Sequence, residues 1–99
     1  MTTIHSTLLK EDPDMLELVN KFLSRLPTFI EAIANAHNNN DQEELQSELH
    51  KLKGIAGGFG YSGLTDLAAA GEQLCKQNKI EEIPGLLNQL IEMSNNVAP

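Results

Sequence analysis

Leu49-His50-Lys51-Leu52-Lys53-Gly54-Ile55-Ala56-Gly57-Gly58-Phe59-Gly60 places a histidine and a lysine on a helical face otherwise lined with glycine. At about 100° per residue, with His50 as zero, Lys53 falls near −60°, Gly54 near +40°, Gly57 near −20° and Tyr61 near +20°. Leu45, Leu49, Leu52, Ile55, Ala56 and Phe59 fall between roughly +140° and −100°, the apolar stripe of an amphipathic helix. The stripe therefore faces a core and His50 faces water. Glu48 fits badly, because it projects to about +160°, inside the stripe.

Gly54, Gly57, Gly58 and Gly60 cost a helix on the order of 1 kcal/mol each relative to alanine, so something other than helical stability favours them. Access is one such reason: without side chains there, another protein can approach the imidazole and find the Lys53 ammonium one turn away. Close packing of helices through small residues is the other, and on the wheel Gly58, near +80°, points toward a neighbouring helix. Imidazole titrates near pH 6.5, so at neutral pH much of it is a neutral nitrogen nucleophile. Phosphoryl transfer consists mainly of positioning plus stabilisation of charge on the phosphoryl oxygens, which a nearby lysine can assist.

His50-x-x-Lys53-Gly54, followed by Gly57 and Phe59-Gly60, is similar to the signature of histidine-containing phosphotransfer domains, the HPt family of phosphorelays. The resemblance extends more loosely from Asp12-Pro13 to the closing helix. It implies that His50 is the phosphorylated residue, Lys53 its charge partner, and Gly54 the gap through which a receiver domain approaches. Gly54, Gly57, Tyr61, Lys51 and Ser47 are assigned to the access and docking face. The dimerisation helices of sensor kinases also carry a phosphorylated histidine, but an acidic residue usually follows it there, with a proline soon after; Lys51 and Gly54 do not fit that pattern.

Ninety-nine residues make one domain, too small for a catalytic domain with its own nucleotide site. The chain is 40% hydrophobic with 4% aromatic residues and no tryptophan, so its core is expected from aliphatic residues on helices. Fourteen acidic against seven basic residues give a net charge of −7, which argues against nucleic acid and against an acidic membrane surface. His50, Lys51 and Lys53 are a local exception in an acidic protein. Cys75 is the single cysteine, which excludes an internal disulfide and fits a reducing cytoplasm. No apolar run approaches the roughly 18 residues of a membrane span, and the start of the chain lacks the basic and apolar stretches of a secretion signal.

Outward from the central helix, residues 1–11 show no periodicity and read as a leader or linker, with room for a short turn around Ser6–Leu9. Asp12 before Pro13 is a helix start, with Asp14 in the first turn. Met15, Val19, Phe22, Leu26, Phe29, Ile33 and Ala36 then recur at steps of four and three. That phase continues across Pro27, favouring one kinked helix from about 13 to 38. Asn38-Asn39-Asn40 is a turn, and Asp41 caps the His50 helix with Glu43 and Glu44 in its first turn. Ser62 caps the next helix, with Asp66 in its first turn and Leu64, Leu67, Ala68, Gly71, Leu74 and Cys75 along one face. Asn78-Lys79 turns the chain, Pro84 opens a last helix holding Ile83, Leu86, Leu87, Leu90 and Ile91, and Asn95–Pro99 should fray.

The expected fold is all-α: an antiparallel up-and-down four-helix bundle over residues 12–99, preceded by a short N-terminal leader. His5 reads as an exposed bystander, His37 as a residue beside the core, and Cys75 as a buried hydrophobe. No metal constellation is visible, since His50 meets Gly54 where a helical ligand pair would have its second donor. No P-loop or kinase-type glycine loop appears, so the chain reads as a phosphotransfer intermediate and not an enzyme. It needs no cofactor, with Mg²⁺ expected only in the partner. The resemblance implies two partners, a response-regulator receiver domain and a hybrid sensor kinase, the latter in the same chain or another. The chain itself should be cytoplasmic and monomeric as an isolated domain, either alone or as the C-terminal domain of a membrane-bound kinase. The competing expectation is a helical interaction module whose glycine-rich face serves only docking.

Overall fold

The computed structural model describes residues 3–99 and is mostly helical. A two-residue strand β1 (Ile4–His5) and a short helix α1 (Leu8–Glu11) lead into a 3₁₀ turn at Pro13–Met15. Four longer helices follow: α2 (Leu16–Asn38), α3 (Gln42–Gly58), α4 (Ser62–Lys76) and, after a 3₁₀ turn at Ile80–Glu82, α5 (Ile83–Ser94). A second two-residue strand, β2 (Val97–Ala98), pairs with β1 in parallel. Among the described residues no helix is long and apolar enough to cross a membrane.

Most of the periodic positions bury, while Met15, Phe29, Ile55, Phe59, Leu67 and Leu74 are half-buried and Ile91 is exposed. Val19, Phe22, Leu26, Ile33 and Ala36 of α2 meet Leu45, Leu49, Leu52 and Ala56 of α3, with Leu64, Ala68 and Cys75 of α4 and Ile83, Leu87 and Leu90 of α5 completing one core. α2 runs unbroken through Pro27, whose missing N–H costs one intrahelical bond without ending the helix, because the apolar face on both sides packs into the same core. The chain's four aromatic residues gather at one end: Phe22 lies with its ring centroid 5.4 Å from Phe59, 5.7 Å from Tyr61 and 6.4 Å from Phe29.

Three helices end in the same way. Asn40, Gly60 and Asn78 take positive φ (55°, 81° and 58°). The amide of the next residue reaches back to a carbonyl five positions earlier: Asp41 to Ala36, Tyr61 to Ala56 and Lys79 to Leu74. This is the Schellman closure, which satisfies carbonyls left over at a helix end. Asn serves at 40 and 78. At 60 only Gly fits, since a Cβ would lie 2.4 Å from the Leu8 amide nitrogen.

At the helix starts, Asp41 Oδ1 accepts from the Glu44 amide at 3.1 Å as expected, and Pro84 sits at the start of α5. Two expected caps differ. Asp12 makes no side-chain capping bond and precedes the 3₁₀ turn, while Ser62 is already inside α4, whose cap position is Tyr61 and whose first turn has no acidic residue.

The two ends of the chain are the larger departure. Ile4 pairs with Val97 and His5 with Ala98, so Val97–Ala98 are tied down instead of frayed. The Ser6 hydroxyl donates to the Phe59 carbonyl, the Thr7 amide and hydroxyl donate to the Gly60 carbonyl, and the Tyr61 hydroxyl donates to Ala98 O at 2.7 Å. Ile4 and Leu9 pack against the core. The expectation of a leader over residues 1–11 also covers Met1 and Thr2, which lie outside the described residues.

Candidate functional site

α3 and α4 form a hairpin around the turn at Phe59–Tyr61. Gly57 lies against Thr65, Leu49 against Gly71 and His50 against Glu72, each pair spaced almost equally from that turn. Gly71 makes the approach close: a Cβ there would come within 3.0 Å of methyls of Leu49 and Leu86. The neighbouring residue on α4 is therefore held where its side chain reaches across to α3.

That residue is Glu72, which is 6% exposed. Its Oε1 accepts from Lys53 Nζ at 2.6 Å, and its Oε2 lies 2.8 Å from His50 Nδ1. Hydrogen bonding from Lys53 holds the Glu72 carboxyl below its ordinary range, against the opposing effect of burial, and the bond from His50 adds to the lowering. A carboxylate accepts only, so Nδ1 carries a proton. In the neutral ring Nε2 then keeps its lone pair and is the free nitrogen. The His50 side chain is 65% exposed, so the structure combines an accessible ring with an anchored one.

The remaining predicted site residues divide. Gly54 is exposed, and a Cβ there would meet nothing within 4 Å, so the space one turn beyond His50 is open. Ser47 is exposed and lines a shallow groove with Glu43, Gln46, His50 and Glu72. Lys51 is exposed and donates to Glu48 Oε1 at 3.1 Å, which also shows how Glu48 is accommodated: its carboxylate reaches out from the edge of the stripe. Gly57 is exposed, but its α-carbon faces α4, with Thr65 Oγ1 3.3 Å from a built Cβ.

Tyr61 does not belong to this face. It is fully buried among the aromatic rings, and burial raises its phenol above the usual value. The helical wheel fails there because α3 ends at Gly58 and the positive φ of Gly60 turns the next residue inward. Gly58 is corrected as well: it faces open space, with no neighbouring helix to pack against. The close contact between helices is made by Gly71.

Sequence reasoning missed Glu72 entirely. The signal available was a single carboxylate beside Gly71 on the apolar side of α4, as far after the turn as His50 lies before it. His5 is exposed, with its Nδ1 3.1 Å from Pro99 O, and His37 is partly buried beside the core. Cys75 is buried, and burial followed by the charge of Glu72 pushes its thiol up.

Chemically, the arrangement offers one exposed imidazole nitrogen, oriented by a carboxylate that also holds an ammonium. In comparison with known proteins, the Hpt domain family model matches residues 17–98. No curated protein and no solved structure gives a match.

Proposed function

The chain belongs to the Hpt domain family, and from that membership we propose that His50 takes a phosphoryl group from a phospho-aspartyl receiver, or from a kinase, and passes it to a receiver-domain aspartate. Hpt domains act by histidine phosphotransfer in phosphorelays, where they meet receiver domains and kinases. The observation that carries the assignment is the exposed ring of His50, with Nδ1 occupied by Glu72 and Nε2 open.

In the step itself the Nε2 lone pair attacks phosphorus while the phosphorus–oxygen bond to the donor aspartate breaks, its electron pair leaving on the carboxylate. Lys53 stands one turn away as charge partner for the phosphoryl oxygens, and open space at Gly54 admits the receiver. Lys51, Gly57 and Ser47 border that approach. Mg²⁺ and the acceptor aspartate belong to the partner, and this chain is an intermediate with no nucleotide site of its own. α2 to α5 serve as an up-and-down antiparallel bundle that presents α3, in a cytoplasmic domain that is monomeric when isolated. A hybrid sensor kinase, in the same chain or another, is the expected source of the phosphoryl group.

Incubation with a phosphorylated receiver domain tests this. Wild type should gain an acid-labile, base-stable label, and His50→Gln should keep the helical fold and gain none. Binding without label would leave a docking module, and loss of label in His5→Gln or His37→Gln would move the site.

A further inference from the structure

Among the described residues two hydrophilic side chains are buried, Glu72 in the site and Ser6 at the far end of the α3–α4 hairpin. Ser6 is 2% exposed, and its hydroxyl donates to the Phe59 carbonyl at the end of α3. Thr7 donates twice to the Gly60 carbonyl, from its amide at 3.0 Å and its hydroxyl at 3.1 Å. Gly60 lets the segment come this close, since a Cβ there would lie 2.7 Å from Thr7 Oγ1 and 2.9 Å from the Thr7 amide nitrogen. Residues 6 and 7 thus supply donors for the carbonyls of the turn between α3 and α4.

The other end of the chain completes the arrangement. The Ile4 amide donates to Asn96 O at 2.7 Å, β1 pairs with β2, and Tyr61, on the far side of the turn, donates to Ala98 O. Residues 4–7, residues 96–98 and the turn therefore form one closed circuit of hydrogen bonds. Two strands of two residues are marginal alone, so the circuit holds only as a whole. We propose that this circuit is a clasp that pins the α3–α4 turn, and that displacing either end of the chain from it loosens the hairpin and slows the relay.

The hairpin gives the clasp its leverage. His50 stands ten residues before Gly60 and Glu72 twelve after it. At a rise of about 1.5 Å per residue, these are arms of roughly 15 and 18 Å. A tilt of about 5° between the arms at the turn parts their far ends by roughly 1.3–1.6 Å. The Lys53 and His50 contacts to Glu72, at 2.6 and 2.8 Å, do not survive that as direct hydrogen bonds. Coupling of this kind is reciprocal: if opening the clasp weakens the bonds between the arms, weakening those bonds opens the clasp.

The effect on transfer rests on His50 being the phosphorylated residue, whereas the coupling itself does not, and the experiment separates the two. Amide exchange in the unphosphorylated protein reads the clasp at Ile4 and Thr7. Ser6→Ala should keep the helical circular dichroism of wild type and exchange at both amides about fivefold or more faster. Glu72→Gln, at the other end of the hairpin, should speed the same two amides roughly twofold or more, and unchanged exchange there overturns the proposal. Transfer from a phosphorylated receiver, well below the melting temperature, should be about fivefold or more slower in Ser6→Ala than in wild type. His5 and Ala98 face each other across the two strands, so cysteines at both positions are placed to form a disulfide that locks the clasp. Added to Ser6→Ala, the pair should restore the wild-type rate when oxidised and lose it again when reduced. Wild-type transfer in Ser6→Ala, or slow transfer that oxidation does not restore, would mean that the two ends contribute stability alone. If no variant takes up label, wild type included, the relay assignment fails, while the exchange of Ile4 and Thr7 in Glu72→Gln still decides for or against the clasp.

Discussion

Gly54 sits inside α3, one turn beyond His50, and a Cβ built there touches nothing within 4 Å. Gly54→Ala should therefore receive the full helix-propensity gain, up to about 1 kcal/mol, with no steric cost to offset it. For a domain of this size that gain raises the melting temperature by roughly 4–8 °C. Gly71→Ala has the same propensity gain, but its methyl would come within 3.0 Å of Leu49 and Leu86, and forcing an extra methyl into a packed core costs about 1–3 kcal/mol. It should be neutral or destabilised. Side chains on a helix lean toward its N-terminus, so a long residue at 54 would lean toward His50 and fill the approach to it. Gly54→Gln should melt at or above the wild-type temperature and yet transfer phosphoryl groups far more slowly. Thermal melting by circular dichroism and transfer from a phosphorylated receiver are to be measured on the same samples. A Gly54→Gln variant that melts normally and transfers at the wild-type rate removes the access role of the glycine; one that unfolds contradicts the open space seen around it.

Lowering of the Glu72 carboxyl, chiefly by Lys53, gives a stability contribution that is full above its ordinary value of 4.5 and is lost as pH falls through the lower folded value. The difference in denaturation midpoint between wild type and Glu72→Gln should accordingly be largest near neutrality and shrink below pH 4.5; a gap unchanged from pH 7 to pH 3 would count against the ion pair. Tyr61→Phe removes the hydroxyl that donates to Ala98 O and should cost about 1 kcal/mol, with faster amide exchange at residues 4–5 and 97–98; unchanged exchange would mean the two ends are held without it. Phosphorylated protein kept apart from any receiver should hold its label equally with and without Mg²⁺, and rapid Mg²⁺-dependent loss would place a metal site in this chain.

Where a physical cause acts along one helix, the sequence displayed it. The steps of four and three from Met15 to Ala36 persist across Pro27 because the buried face is continuous, and α2 is one helix for the same reason. The Asn turns were legible because asparagine tolerates the positive φ that a Schellman closure requires, and both Asn40 and Asn78 adopt it. Tyr61 was misplaced because a helical wheel assumes one unbroken helix, whereas Gly60 breaks it. The pairing of Ile4–His5 with Val97–Ala98 had no sequence signal, since two residues are too few for an alternating pattern and the partners lie at opposite ends of the chain.

The proximity of His50 and Lys53 was legible for a further reason: it is local, one turn apart on one helix. Glu72 was not, because its meaning depends on the register between two helices. That register also changes the electrostatic picture. His50, Lys51 and Lys53 look like a basic exception in an acidic chain, yet Lys51 is paired with Glu48, and Lys53 and His50 share Glu72. The resting face is thus nearly balanced in charge. On the proposed assignment, a phosphoryl group arriving on Nε2 would bring about two negative charges to within reach of Lys53, whose side chain is one-third exposed and already bound to a carboxylate. Lys53 would then divide its donors between Glu72 and the phosphoryl oxygens, and an ammonium has three rotatable donors with which to do so. Such sharing would keep the phosphorylated state from being over-stabilised, which suits the proposed relay, in which the group has to be given up as readily as it is received.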